Sequence, residues 1–337
     1  MKILVIRFSS IGDIVLTTPV LRCIKQQYPQ AKVHYITKAS FARVLQANPY
    51  IDKLTVIEKE ITEVLDELKA ENYTYILDLH NNLRTKRLKA ALGVDSAAFH
   101  KLNIKKLLLV NLKINALPNV HIVDRYFDAA NKLFLLKNDG IGLDYFIPQR
   151  DEIPLTTLPD AHQKGYVAVV IAATYFTKRL PIDKLIELCQ KINFPIVLLG
   201  GTAELQLSNL VAQVVGAKVF NACGKFNINQ SASLVNQAKA VITPDTGLMH
   251  IAAALNKKIL SVWGNTVPGF GMYPYKATED SLLFEVKGLS CRPCSKLGYN
   301  HCPKKHFKCM NNQDIDAIAN AAMHMAITEK IGNPSKQ

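Results

Sequence analysis

The sequence predicts an α/β fold of two parallel, doubly wound, Rossmann-like halves, and three observations carry that expectation. Short apolar, β-branched runs alternate with segments whose apolar residues recur at helical spacing, the pattern of a parallel sheet covered by helices. The alternation pauses at 148–159, a stretch with three prolines and no periodicity, and then starts again. Residues 239–255 pass from a buried strand straight into a helix through the small polar turn Asp245-Thr246-Gly247.

Taken in order, residues 2–8 form an apolar strand, 9–13 a small polar turn, and 14–28 a helix, so the chain opens on a βα unit. A strand at 33–37, a helix at 41–46, a strand at 53–57, a helix at 62–70 and a strand at 75–79 follow. The donor-rich segment His80-Asn81-Asn82-Leu83-Arg84-Thr85-Lys86-Arg87 leads into another helix. From there to Lys113, eight cations (Arg84, Lys86, Arg87, Lys89, Lys101, Lys105, Lys106 and Lys113) meet only Asp95. The second half places strands at 166–171, 195–199, 218–220, 240–243 and 258–264 among helices at 181–192, 204–215, 231–238 and from 248 onward. We expect domains at 1–150 and 160–314 and a C-terminal helix at 315–332, with a ligand cleft where the carboxyl ends of the two sets of strands meet.

At 337 residues the length suits about two domains, and 49% hydrophobic with 20% charged residues is globular composition. No run approaches the ~18 apolar residues of a membrane span, and the first residues enter a strand directly, so a cytoplasmic protein is expected. A net charge of +14 invites nucleic acid, an anionic membrane or a phosphorylated substrate. Nucleic acid fits least, because the basic segment lacks interleaved aromatics and no recognition motif is present.

The turn at 245–247 offers backbone N–H groups at a helix start, and Gly247 lets a ligand approach, which makes an anion site; the competing role is an ordinary N-cap by Asp245 or Thr246. Asp13, in the turn after the first strand, suits either a helix cap or a general base. The loop 173–179 carries Lys178 and Arg179, which reads as a solvated loop or, on one rim with residues 245–247, as a diphosphate clamp. Glu204 after Gly200-Gly201 is able to bind a ribose diol, whereas neither G-x-G-x-x-G nor a Walker A lysine motif is present. Cys291 and Cys294 form a C-x-x-C pair, but Cys302 and Cys309 stand seven apart and His301 and His306 compete, so reduced, packed thiols are favoured over zinc.

The motifs Ser9-Ser10-Ile11-Gly12-Asp13, Asp78-Leu79-His80-Asn81-Asn82-Leu83-Arg84, His121-Ile122-Val123-Asp124-Arg125 and Asp245-Thr246-Gly247-Leu248-Met249-His250 occur in that order. With them the chain resembles glycosyltransferase family 9, the ADP-heptose:lipopolysaccharide heptosyltransferase family, over essentially its whole length. The resemblance implies a GT-B fold and inverting transfer, independent of metal and cofactor, of heptose from ADP-heptose to a lipopolysaccharide core acceptor beside an anionic inner membrane. It implies Asp13 as catalytic base and Lys178 as the charge that stabilises the leaving diphosphate. Thr174, Lys178, Glu204, Asp245, Thr246, Gly247, Leu248 and His250 would hold the donor, and Ser10, Gly12, Asn81, Arg84 and Lys86 the acceptor. The chain departs from the family pattern at Gly264-Asn265-Thr266-Val267-Pro268, where Gly-Pro-Thr-Asp-Pro is common, and at Ala173, where a hydroxyl residue is frequent. A different nucleotide sugar and surface glycan, or a non-catalytic nucleotide-sugar-binding protein, are the alternatives.

Overall fold

A computed structural model describes residues 1–328, which divide into two compact units. The first comprises residues 1–150 and 268–276, the second 151–267 and 277 onward.

In the first unit β1 (Lys2–Ile6), α1 (Ile11–Val15), α2 (Thr18–Gln27), β2 (Lys32–Lys38), α3 (Ala39–Ala42), β3 (Lys53–Ile57), α4 (Leu65–Ala70), β4 (Tyr75–Asp78), α5 (Leu83–Leu92), β5 (Ser96–Ala98), α6 (Asn103–Leu112) and α7 (Ile122–Ala130) follow one another. The strands form one parallel sheet in the order β3-β2-β1-β4-β5. The second unit contains α8 (Asp160–Gln163), β6 (Val167–Val170), α9 (Ile182–Lys191), β7 (Ile196–Leu199), α10 (Leu205–Val215), β8 (Val219–Asn221), α11 (Ile228–Gln237), β9 (Ala240–Pro244), α12 (Gly247–Ala254), β10 (Ile259–Trp263), β11 (Leu282–Glu285), α13 (Lys308–Asn311) and α14 (Ile315–Ile327). Its sheet, also parallel throughout, runs β11-β10-β9-β6-β7-β8. Read from the other edge this is the 3-2-1-4-5-6 order of nucleotide-binding sheets, in which the strand order reverses at the middle. The reversal falls between β1 and β4 in one unit and between β6 and β9 in the other.

The central strands are buried on both faces, which is why they read as unbroken apolar runs rather than alternating ones. In the second unit Leu185, Leu188, Leu198, Ile242 and Leu260 share a core with Ile315, Ile318, Ala322 and Met325 of α14. The C-terminal helix is therefore part of that unit's core; residues 329–332 of the expected helix lie outside the described residues.

Local chemistry explains the departures from the expected elements. The expected helix at 14–28 is two, because Pro19 has no N–H for the Val15 carbonyl, which accepts instead from Thr18 Oγ1 at 2.7 Å. The helix expected at 41–46 ends at Ala42, and the chain continues in i,i+3 turns from Phe41 to Val44 and Ala42 to Leu45. The helix expected from Ser231 begins at Ile228, since Asn227 caps it by accepting from the Asn229 and Gln230 amides while Gln230 Oε1 accepts from the Asn227 N–H at 3.0 Å. Segment 268–276, continuous with the second half in sequence, belongs to the first unit, where the Ile122 N–H donates to the Gly271 carbonyl at 2.8 Å.

The loop leaving β4 is fixed by Asp78, whose fully buried carboxylate accepts from the Asn81 N–H at 2.6 Å and the His80 N–H at 3.0 Å and pairs with Lys89 at 3.1 Å. Asp78→Ala strips these partners and leaves a cation with no counter-charge in the sheet edge. It is expected to cost roughly 3–5 kcal/mol, read as a lower urea midpoint of the full chain.

Candidate active site

Residues that the sequence singled out collect after the strands that flank the reversal of strand order: Asp13 after β1, Asn81 after β4, Lys178 after β6 and Asp245 after β9. This is the position at which open α/β sheets place their ligand-binding loops.

At the end of β1 the chain turns through a cis Ser9–Ser10 peptide into α1. Asp13 accepts from Ser10 Oγ at 2.8 Å and from the Ser10 N–H at 3.3 Å, so it does close the start of the helix. It also pairs with Arg7 at 2.5 Å. The Arg7 guanidinium is buried and donates further to the carbonyls of Ser9 at 2.7 Å and Leu79 at 2.5 Å and to the Tyr126 hydroxyl at 3.4 Å. Burial opposes its charge, but the facing Asp13 carboxylate and the Tyr126 and Tyr35 hydroxyls raise its pKa above the ordinary value. Asp13 thus has a cation on one side and keeps about a fifth of its side chain open to solvent. Gly12 is buried within α1 and Ser10 is exposed.

Around the β4 loop, Asn81 adopts a left-handed backbone with φ of 49° and donates through Nδ2 to the Phe99 carbonyl at 2.9 Å. Asn81 and Lys86 line a groove of about 540 Å³ together with Lys101, Ile104 and Lys105. Arg84 does not line it and pairs with Glu60 at 3.6 Å. His80 packs against Phe8 with ring centroids 5.2 Å apart and the ring planes tilted by 57°. Its buried Nδ1 has no hydrogen-bond partner among the described residues.

In the second unit Lys178 is held by Asp245 at 2.6 Å, and Thr266 Oγ1 donates to the same carboxylate oxygen at 2.9 Å. The cap alternative for the 245–247 turn is thereby answered: Asp245 is engaged with Lys178 and Thr266, and Thr246, the N-cap of α12, makes no side-chain cap bond. Gly247 opens α12, and Leu248 and His250 are buried in its first turns. Thr174 is exposed on the loop that carries Lys178. That loop is tied to the turn after β10, where Thr177 Oγ1 donates to Asn265 Oδ1 at 3.0 Å and a Cβ on Gly264 would stand 2.5 Å from the Thr177 carbonyl oxygen. Glu204 is buried, accepts from the Gly201 N–H at 2.9 Å and pairs with Arg179 at 3.1 Å. Lys178, Arg179, Ala203, Glu204, Thr243 and Pro244 line one cavity of about 80 Å³.

The seven cysteines are free thiols, and among the described residues no group of three or more His, Cys, Asp or Glu side chains is placed to hold a metal ion. No helix among them is long and apolar enough to cross a membrane. Arg7 and Tyr126 join the site without being among the candidate residues read from the sequence, and Thr266 joins it from the run at 264–268. The available signal for Arg7 was a cation within an otherwise apolar run, two residues before the polar turn at 9–13.

Two parallel α/β units with polar and charged loops at both points of strand reversal are the architecture of a GT-B protein. The sequence profile described as glycosyltransferase family 9 (heptosyltransferase) matches residues 61–299, and the chain belongs to that family. Among curated proteins it is 25% identical to lipopolysaccharide heptosyltransferase 1 of Campylobacter coli over 79% of this chain and 84% of that protein. It is 26% identical to lipopolysaccharide heptosyltransferase 1 of Escherichia coli K12 over 80% and 89%. Among solved structures, a family 9 glycosyltransferase from Veillonella parvula superposes with a TM-score of 0.77 at 21% identity, covering 96% of this chain and 97% of that one. For the ADP-heptose lps heptosyltransferase II of E. coli the TM-score is 0.70 at 20% identity, over 95% and 99%.

The His80 site yields a pH dependence. Burial first, and then the positive charges of Arg7 and Lys101, push the imidazole down from its ordinary 6.5 to about 4. Between pH 6.5 and 4 the unfolded chain therefore binds the proton that the folded chain refuses, so this group makes stability fall with acidification across that window. The penalty is at most about 3 kcal/mol and is complete below the folded value. His80→Gln is expected to flatten the fall of the urea midpoint between pH 6.5 and 4; an unchanged slope contradicts the assignment.

Proposed function

We propose that this chain transfers heptose from ADP-heptose to a hydroxyl of a lipopolysaccharide core acceptor, with inversion at the anomeric carbon and without a metal ion. The observation that carries the reading is Asp13, a carboxylate paired with a buried guanidinium at the carboxyl end of β1, in a chain of family 9. Its curated relatives are lipopolysaccharide heptosyltransferases, and an E. coli heptosyltransferase of the same fold was solved with ADP and with ADP-2-deoxy-2-fluoro heptose.

In the proposed reaction the acceptor oxygen bonds to the anomeric carbon from the face opposite the diphosphate. The bond from that carbon to the diphosphate oxygen breaks, and the acceptor proton passes to Asp13. ADP departs with the electron pair, stabilised by Lys178, the Thr246 hydroxyl and the amides at the start of α12, fixed dipoles that need no reorganisation as charge develops. Asp245 and Thr266 set the place of Lys178, and Glu204 beside Arg179 meets the ribose. Thr174, Gly247, Leu248 and His250 complete the donor loops. Ser10, Gly12, Asn81, Arg84 and Lys86 serve the acceptor, whose phosphates and acidic sugars suit the lysine-lined groove. Such an acceptor is membrane-bound, and the reading accordingly places the enzyme on the cytoplasmic side, peripheral to the inner membrane.

Labelled ADP-heptose and a heptose-deficient core acceptor test the reading, with labelled glycolipid as the expected product. In the same preparation ADP is expected to raise the melting temperature more than UDP or GDP, in line with a stabilisation of about 2.7 kcal/mol at a hundredfold excess over Kd. Lys178→Ala should slow transfer and raise the Kd for ADP at least about tenfold each, the loss of one charge-assisted contact to phosphate, which at the same ADP concentration cuts the stabilisation to roughly half. Stabilisation by UDP or GDP alone would move the reading to another nucleotide sugar, and binding without turnover on any acceptor would make the chain a non-catalytic binder.

A further inference from the structure

Helix α6 and the segment after it form a surface that none of the described residues covers. No residue of α6 is buried, although its sequence, Asn-Ile-Lys-Lys-Leu-Leu-Leu-Val-Asn-Leu, is mostly apolar. Ile104, Leu107, Leu108 and Leu112 recur at i, i+3, i+4 and i+8, which lines them along one face. Ile104 is 75% exposed, Leu112 62% and, just beyond the helix, Ile114 56%. Leu83, at the start of α5, is 65% exposed and lines the same groove as Ile104. A cluster of large apolar side chains held in water marks an interaction surface rather than scattered exposure.

Charge selects the partner. From 96 to 123 the chain contains Lys101, Lys105, Lys106 and Lys113 and no acidic residue. Lys106 turns back over the Phe270 ring at 5.5 Å, on the side of the helix away from the exposed apolar face, while Lys105 stays exposed next to it. A second copy docking through this face in a two-fold arrangement would bring lysines against lysines, a repulsion that no acidic group in the segment relieves. A surface that is apolar below and negatively charged above has the complementary order: side chains enter the acyl boundary and lysines stay among the headgroups.

We infer that α6 and residues 113–117 dock on an anionic phospholipid bilayer, with Ile104, Leu107, Leu112 and Ile114 entering the interface and Lys105 and Lys113 meeting lipid phosphates. The inference rests on the membrane-bound acceptor of the proposed function and deepens it, because Ile104 and Lys105 also line the groove of Asn81 and Lys86. Docking through this face would hold the groove at the headgroup layer, where a lipid-anchored glycan emerges.

The full chain is mixed with vesicles of phosphatidylcholine alone or with about a third phosphatidylglycerol and separated by flotation. The expected result is binding to the anionic vesicles, at least about tenfold weaker on the neutral ones and lost in about 0.5 M salt. Leu107→Glu/Leu112→Glu should reduce binding at least about tenfold with an unchanged melting temperature, because both residues are already exposed, and Lys105→Glu should reduce it to a lesser extent. Absence of binding by the wild-type chain, equal binding to neutral vesicles, or wild-type binding by the double variant each overturns the inference. So does a wild-type dimer that the double variant dissolves without any vesicle binding, which would assign the face to self-association. Transfer to a detergent-solubilised acceptor is independent of docking, so failure here and failure of the proposed reaction are distinguishable.

Discussion

The functional edge of the first unit depends on one buried guanidinium. Arg7 directly follows β1, and its donors reach the Ser9 and Leu79 carbonyls, the Tyr126 hydroxyl and the Asp13 carboxylate. A cation in that position is tolerable only because each of its sides meets an acceptor. The β1 turn, the β4 exit, α7 and α1 are thereby fixed against one group, and the proposed base is among its partners. Close by, the charge of Arg7 works with burial to keep His80 neutral.

The second unit solves the same problem with a different pair. Lys178 and Asp245 leave adjacent parallel strands, β6 and β9, and meet across the point where strand order reverses. Thr266, from the turn after β10, donates to the same carboxylate, so three consecutive loops of the sheet edge share one set of contacts. The departure from the common Gly-Pro-Thr-Asp-Pro run keeps that contact, because the retained threonine is the residue that reaches Asp245. The fixed cation and helix dipole at this edge are what a departing diphosphate requires.

Much of this was legible in the sequence because parallel strands buried on both faces leave a local signature. The runs at 53–57, 195–199 and 240–243 coincide with β3, β7 and β9 to within a residue, and the motif residues fall in the turns that follow strands. What escaped was set at a distance or by side-chain capping. Pro19 splits a helix whose apolar spacing is unbroken, and Asn227 starts one a turn early. The return of 268–276 to the first unit is carried by contacts with residues some 150 positions away, such as His121 Nε2 with the Tyr273 carbonyl at 2.9 Å. Helix α6 was read only as a basic segment, since helical spacing announces a buried stripe and this helix buries none of its residues. The pairing of Lys178 with Asp245, 67 positions apart, is a fact of sheet order that no local pattern encodes.

The proposed reaction requires Asp13 to take the acceptor proton, and the direct measurement is single-turnover transfer of heptose from ADP-heptose by wild type and Asp13→Asn, with ADP binding followed in parallel. Asparagine keeps the shape and an acceptor for Ser10 but cannot hold the proton. Transfer by Asp13→Asn is expected to be slower by at least about a hundredfold with ADP affinity unchanged. Transfer by this variant at the wild-type rate would contradict the role of Asp13.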